Sequence, residues 1–263
     1  MVAQVTDTAV EPRGASVIVN VIDVLRCFTV EQPVVGVTEI AARVGLHKSS
    51  VSRILATLEQ ERIVARDETT RKYSLGLGLI AVAGPLLANL DVRRVSFPFL
   101  EELARETGET AVLTIWDGLE SVSVEQIPSF HQVKHTSAMG SRYNTALSAS
   151  MQVFLAHEQP GRAAALLESG TVVLPENTAA ARSAYLKRLE AVGRRGYAAN
   201  HGETSPDEVG VAAPVFDHRG AVVASAMIAA PYYRVTEEQL HQLGAACVRA
   251  ARQISLRLGS PAI

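Results

Sequence analysis

The chain has 263 residues, of which 48% are hydrophobic and 20% charged, with a net charge of −2. That length accommodates two domains with a sizeable core, and the composition is that of an ordinary globular chain. The charge excludes a bulk polyanion binder, so any affinity for nucleic acid must be local to one domain.

Residues 1–14 are polar, with Pro12 and Gly14, and read as a disordered tail. A first helix is expected from about Ser16 to Phe28, with Ile18, Val21, Ile22 and Leu25 as its buried stripe. Thr38 is the expected N-cap of a short second helix, with Glu39 in the first turn, where the positive helix end favours an acid. Gly45 suits the tight turn that follows. Leu46, Val51, Ile54, Leu55 and Leu58 then repeat at helical spacing. Two short helices joined by a glycine turn are the plan of a helix-turn-helix.

The outer face of the second of these helices carries His47, Lys48, Ser49, Ser50, Ser52 and Arg53. In this motif the N-terminal residues of the second helix reach base edges while their neighbours hold phosphates. Lys and Arg read guanine, and Ser serves either a base or a phosphate. Short strand-like runs at 63–66 and 73–75 flank a polar loop, the arrangement of a wing, with Arg71 and Lys72 at its tip facing backbone phosphate. The same pattern also fits a plain αα-hairpin with a solvated face. Residues 36–75 hold seven Lys or Arg against five Asp or Glu. So small an excess calls for two copies and a focused patch.

From Leu75 to Leu90 the chain is apolar on nearly every side. Its glycines lack the spacing of a dinucleotide fingerprint. It reads as a linker helix buried against a symmetric copy, kinked or divided at Pro85. A helix from Asp91 to Thr107 follows. Strands are expected at 111–116 and 121–127 around an Asp117-Gly118 turn, and again at 133–138. Helices are expected at 145–156, 161–167 and 179–195. Strands at 209–215 and 221–228 precede a last helix with a Thr236/Gln239 capping box. The fold class is therefore α+β: a winged helix-turn-helix (15–75), a linker and dimerisation helix (76–91), and an α/β domain with an antiparallel sheet (92–263).

Cys27 and Cys247 fall on apolar helix faces and read as small buried hydrophobes rather than as a disulfide or metal pair. No leader pattern and no apolar run of about 18 residues is present, so a cytoplasmic chain that avoids membranes is expected. No nucleophile elbow, phosphate loop or metal-type histidine spacing is present, and neither an enzyme activity nor a cofactor is expected. His131 and His135 could converge on an extended loop. His201 is the histidine most suspected of touching a ligand.

The strings VTEIAARVGLHKSSVSRILATLEQERIVARD (37–67), KYSLGLGLIAV (72–82), FLEELARETGETAVLTIWDG (99–118), RRGYA (194–198) and VAAPVFDHRGAVVASAMI (211–228) resemble the IclR family of bacterial transcriptional regulators. The likeness runs from about residue 16 to 259. It implies a dimerising linker helix and a GAF-like effector-binding domain. It also implies a repressor or activator of double-stranded operator DNA, commonly at catabolic operons, answering to a small organic or aromatic acid or a related metabolite.

Carried over one position at a time, the effector pocket comprises Met139, Gly140, Ala146, Leu147, Asn200, Gly210, Met227 and Ala229. The chain departs from the family pattern here. Tyr143 to Ala149 replaces a stretch that ends in Gly-Lys, Gly210 replaces a cysteine, Asn200 an aspartate and Met227 a small polar residue. These changes make the pocket apolar, with backbone N–H groups near Thr145 left to hold an acceptor. A homodimer is expected, with tetramers left open. The competing reading is a DNA-silent metabolite-binding module or degenerate enzyme that keeps a vestigial winged domain.

Overall fold

The computed structural model describes residues 13–29, 32–89 and 91–260, and the chain forms two units, 1–89 and 90–263. The first contains α1 (Arg13–Arg26), β1 (Val34–Val35), α2 (Val37–Val44), α3 (Lys48–Gln60), β2 (Val64–Arg66), β3 (Tyr73–Leu75) and α4 (Gly78–Asn89). Its sheet is antiparallel, in the order β1-β3-β2. Val24, Cys27 and Phe28 of α1 pack with Ile40, Ala41, Val51, Leu55, Val64 and Tyr73 into one core.

Several expectations shift here. Helix α1 begins at Arg13, and the expected tail otherwise lies outside the described residues. The inward stripe sits later than expected. Ile18 and Ile22 are 64% and 43% exposed, because only the last turns of α1 meet the core. The N-cap of α2 is Gly36, whose carbonyl accepts from the N–H of Ile40 at 3.0 Å. Thr38 instead occupies the first turn and is exposed. Gly45 closes the helix in the left-handed region at φ 67°. Helix α4 is not divided at Pro85 but runs through it.

The two glycines after the wing have a steric reason. The N–H of Gly76 bonds Ile63 O at 2.8 Å and that of Gly78 bonds Arg62 O at 2.9 Å. A Cβ on Gly76 would lie 2.3 Å from Arg62 O, and one on Gly78 would lie 2.6 Å from it. Both obstacles are backbone and cannot swing aside.

The second unit contains α5 (Asp91–Thr107), β4 (Thr110–Trp116), β5 (Ser121–Ile127), β6 (Arg142–Tyr143), α6 (Ala149–Ala156), α7 (Arg162–Glu168), α8 (Ala179–Arg195), β7 (Ala198–His201), β8 (Glu208–Phe216), β9 (Val222–Pro231) and α9 (Glu237–Arg257). The strands form one antiparallel sheet in the order β6-β5-β4-β9-β8-β7. Alternation sends successive side chains to opposite faces. Leu113, Val211, Val215 and Ile228 meet Leu100 and Leu103 of α5 and Cys247 and Ile254 of α9. Val112, Ala212, Met227 and Ala229 meet Ala149 and Val153 of α6 and Val192 of α8. Both cysteines are buried and unpaired, and burial pushes the Cys247 thiol up to about 12.

The capping box of α9 is present, with both of its bonds formed. The strand expected at 133–138 is not formed. Its carbonyls are taken by side chains instead: Thr110 Oγ1 donates to His135 O at 2.6 Å and Arg234 to Val133 O at 3.0 Å. The edge strand beside β5 is β6 instead. Helix α6 starts four residues later than expected, because Ala146 N bonds Val173 O at 2.8 Å and holds that segment to another part of the chain. Strand β7 was not expected.

Gly76→Ala should lower the stability of the winged unit by about 1–3 kcal/mol through overpacking against backbone. Denaturant unfolding followed on both units tests this. An unchanged midpoint for the winged unit removes the close approach as a constraint.

Candidate nucleic-acid interface and effector site

Val51 and Leu55 bury one face of α3 completely and turn the opposite face outward. His47 is the N-cap of α3, and Lys48, Ser49 and Ser50 form its first turn. These four residues, with Ser52 and Arg53, are all exposed. Among the described residues, no hydrogen bond or ion pair engages the side chains of Lys48, Ser49, Ser50, Ser52 or Arg53.

The wing tip is built by Asp67. Its carboxylate accepts from Thr69 N at 2.9 Å, Thr70 N at 2.6 Å and the Thr70 hydroxyl at 3.0 Å. These bonds, the Thr70 N–H foremost, hold its pKa below the ordinary aspartate value. Arg71 then takes φ 58°, and its N–H returns to Asp67 O at 2.8 Å. The folded turn leaves Arg71 and Lys72 exposed.

A concavity of about 940 Å³ lies among α2, α3 and the wing, and it brings together Thr38, Ser52, Arg53, Arg71 and Lys72. His47, Lys48, Ser49 and Ser50 do not line it. Arg66 does, and sequence reasoning had used it only as a strand residue. Its guanidinium lies 5.7 Å from the Tyr73 ring centroid, and its Nε is buried with no hydrogen-bond partner among the described residues. The signal available was parity: Arg66 follows buried Val64 by two, so a cation shares the inward face of a short strand. The groove also holds Glu39 and Glu59. Glu39 is neutralised by Arg43 at 2.7 Å, which keeps the local field from turning negative.

The effector positions divide. Asn200, Gly210 and Ala229 face each other across β7, β8 and β9, and Met227 sits one row further on the same sheet face. All four are buried. Helix α6 lies directly above, with Ala149 Cβ 3.5 Å from where a Gly210 Cβ would stand. Ala146 is buried among α6, α7 and α8, and Leu147 packs against that cluster. Met139 is 56% exposed, Gly140 is also exposed, and neither joins this row.

Three groups prove to be occupied. The Asn200 side chain accepts from Glu203 N at 2.8 Å and donates to Thr204, so it shapes the β7–β8 loop. His201 bonds Val235 O at 3.1 Å and stacks on Tyr232. His135 bonds Asp207 O at 2.9 Å instead of turning to His131. The first-turn N–H groups of α6 belong to residues 149–151 rather than to the vicinity of Thr145.

On the same sheet face, Thr114 and Ser225 sit opposite each other on β4 and β9. Both are completely buried, and among the described residues neither hydroxyl has a partner. Beside them Ser121 donates to Ser150 at 2.9 Å, and Ser137 bonds the Tyr143 hydroxyl at 2.8 Å. Sequence reasoning missed Thr114 and Ser225. The signal was again parity, since each lies two residues from an inward apolar position, Val112 or Met227. Buried hydroxyls without partners are costly and call for an unseen one.

A winged helix-turn-helix joined in one chain to a sheet domain with a helix-covered face defines a ligand-responsive, DNA-binding transcriptional regulator. The family models agree: "IclR helix-turn-helix domain" matches residues 17–68 and "Bacterial transcriptional regulator IclR C-terminal" matches 85–256. The HTH-type transcriptional regulator KdgR of Escherichia coli (strain K12) is 32% identical over 253 residues, covering 95% of each chain. A solved domain of an IclR-family transcriptional regulator is 53% identical, with a TM-score of 0.63, over 65% of this chain and 98% of that one. An IclR homologue from Microbacterium hydrocarbonoxydans, solved with 4-hydroxybenzoate, has a TM-score of 0.76 over 92% of this chain and 98% of that one. At 23% identity it speaks for the fold alone. The chain belongs to the IclR family of bacterial transcriptional regulators. Nothing in these likenesses supports a DNA-silent module. Among the described residues, no helix is long and apolar enough to cross a membrane.

Arg66→Ala should weaken DNA binding by roughly tenfold and reduce the slope of log affinity against log salt by about 0.9 per protomer, as loss of one phosphate contact requires. Anisotropy titrations at several salt concentrations measure both. An unchanged slope places Arg66 off the backbone.

Proposed function

We propose that the protein acts in the cytoplasm as a homodimer on a catabolic operon, without catalysing a reaction, and that a small organic acid releases or redirects it. The observation that carries the DNA reading is the row of unpartnered side chains on α3. Lys48, Ser49, Ser50 and Arg53 face water with nothing among the described residues to hold them. Placed in a major groove, they would contact base edges and phosphates, while Thr38, Arg71 and Lys72 would anchor the flanks.

Dimerisation is supported by exposed apolar side chains that a lone protomer leaves in water. Leu77, Ile80 and Val82 of the linker region are 82%, 59% and 71% exposed, and Val17 and Ile18 of α1 are 58% and 64% exposed. A second copy would cover them and set two α3 helices at the spacing of two half-sites. Pairing of dimers into tetramers remains compatible with this arrangement.

The effector reading rests on the sheet face beneath α6. Met227, Ala229, Gly210 and Ala146 offer apolar surface, and Thr114 and Ser225 offer two hydroxyls in want of partners. A compact acid, aromatic or aliphatic, presents the complementary mixture of apolar body and acceptor oxygens. Its binding would favour one dimer arrangement over another and so change operator affinity.

Arg53→Ala should lower affinity for the protein's own upstream DNA by about 1–3 kcal/mol, or roughly 5- to 150-fold. Effector binding should persist in that variant. Equal operator affinity would take Arg53 out of the interface. Thr114→Val removes an unpaired hydroxyl at nearly constant volume, so the fold should lose little or no stability. If the hydroxyl serves an effector, the thermal shift produced by the best carboxylic acid in a metabolite screen should shrink or vanish. A full shift in both Thr114→Val and Ser225→Ala would refute the placement.

A further inference from the structure

A second recess lies in the sheet unit, away from the Gly210 row. Strand β8 outruns its edge neighbour: β7 pairs with it only from Val209 to Ala212, while β8 continues to Phe216. Beyond Ala212, no strand among the described residues covers that edge. The chain treats it as an edge. Pro214 has no N–H to leave unpaired, and the N–H of Phe216 is capped by the Ser255 hydroxyl at 2.9 Å. Between this bare stretch, the end of α8 and the side of α9 is a cavity of about 240 Å³.

Its walls are apolar: Pro214, Phe216, Val248, Ala251 and Leu256. Its polar members are His157, Arg252, Ser255 and Ser260, and the Ser255 hydroxyl is already engaged by Phe216 N–H and Ala251 O. Arg252 is exposed and, among the described residues, no hydrogen bond or ion pair holds it. His157 packs edge-on to Phe216, with ring centroids 5.5 Å apart. Its Nδ1 lies 2.9 Å from Val153 O, an acceptor, so that nitrogen carries the proton and Nε2 is left as a free acceptor in the neutral ring.

Gly193 adds an independent sign. It sits in the last turn of α8, where glycine weakens a helix relative to alanine. Packing does not demand it, because a Cβ there would meet nothing within 4 Å. Gly193 lines the recess, as does Gly196 at the C-cap of α8, so this wall carries two glycines and no side chain.

We propose that this recess is a second small-molecule site, for a compact monocarboxylic acid with a flat or branched apolar body. The apolar walls take the body, and Arg252 takes the carboxylate at the rim. A hydroxyl or amide on the ligand would donate to His157 Nε2. The volume falls below the roughly 300–1,000 Å³ of drug-sized pockets, which limits the occupant to a small acid. Helix α6 connects this recess to the effector row, since Ala149 at its start covers Gly210 and His157 caps its end. Occupancy of one end can therefore bias the other through a single short rod.

The test uses the full-length protein and 4-fluorobenzoate, followed by fluorine NMR and calorimetry. Gly193→Leu fills the recess with a good helix former and should fold at least as well as the parent. The expected result is a bound probe signal that persists in Thr114→Val, where the effector row is impaired, and that Gly193→Leu abolishes when added to that variant. Arg252→Gln should weaken that signal about tenfold or more, as loss of a charged hydrogen-bond partner does. A probe signal lost in Thr114→Val but kept in Gly193→Leu would overturn the second site while leaving the proposed effector site standing. Absence of any bound signal in the parent, or full binding in Arg252→Gln, would also overturn it.

Discussion

The face that α3 shows to solvent is decided by the two of its residues that never see it. Val51 and Leu55 are fully buried, four residues apart on one side of the helix. Burying each is worth about 1.5–3 kcal/mol. Rotating the helix by one residue, roughly 100°, would forfeit both contacts and put polar side chains into the core. Lys48, Ser49, Ser52 and Arg53 are therefore held outward by apolar contacts they do not make. The wing is oriented by the same core through Val64 and Tyr73. The Gly76 and Gly78 contacts with the Arg62 carbonyl fix where the chain leaves the wing.

The second unit applies that logic to a sheet covered on both faces. Each of β4, β8 and β9 must supply apolar side chains at both parities, and most do. Thr114 and Ser225 break the rule at opposed positions in the middle of paired strands. Two hydroxyls could be lost there by substituting valine and alanine, with no change of shape and some gain in stability. Their presence costs stability, which is the signature of a group kept for something other than packing.

How much of this was legible in the sequence depended on whether the cause was local. The capping box at Thr236 and Gln239, the apolar period of α8 and the Gly45 turn are local signals, and the structure forms them where expected. The start of α6 was not legible, because Ala146 is bound by Val173, a residue far along the chain. The 133–138 segment looked strand-like, but its carbonyls are taken by Thr110 and Arg234 from elsewhere. The stripe of α1 was read over its whole length although only its last turns reach the core. In the candidate sites the gap is similar. Exposed Lys48 and Arg53 were visible from periodicity. Arg66, Thr114 and Ser225 matter through which partners they lack, and a sequence does not display the absence of a partner.

The charge of the chain bears on how the winged unit can act at all. Its excess of two positive charges over residues 36–75 is small for a DNA-binding surface. Part of the acidic complement is neutralised within the unit, as Glu39 is by Arg43 and Asp67 by the turn it caps. What remains is a few unpaired cations on α3 and the wing, too few in one copy for much counterion release. Two linked copies double the number of phosphates neutralised, and the second engagement becomes intramolecular, so affinity rises far more steeply than charge. In the homodimer proposed above, the exposed Leu77, Ile80 and Val82 would matter to DNA binding by joining two weak surfaces into one strong one. Any ligand that changes how two copies meet gains leverage over operator affinity without approaching α3.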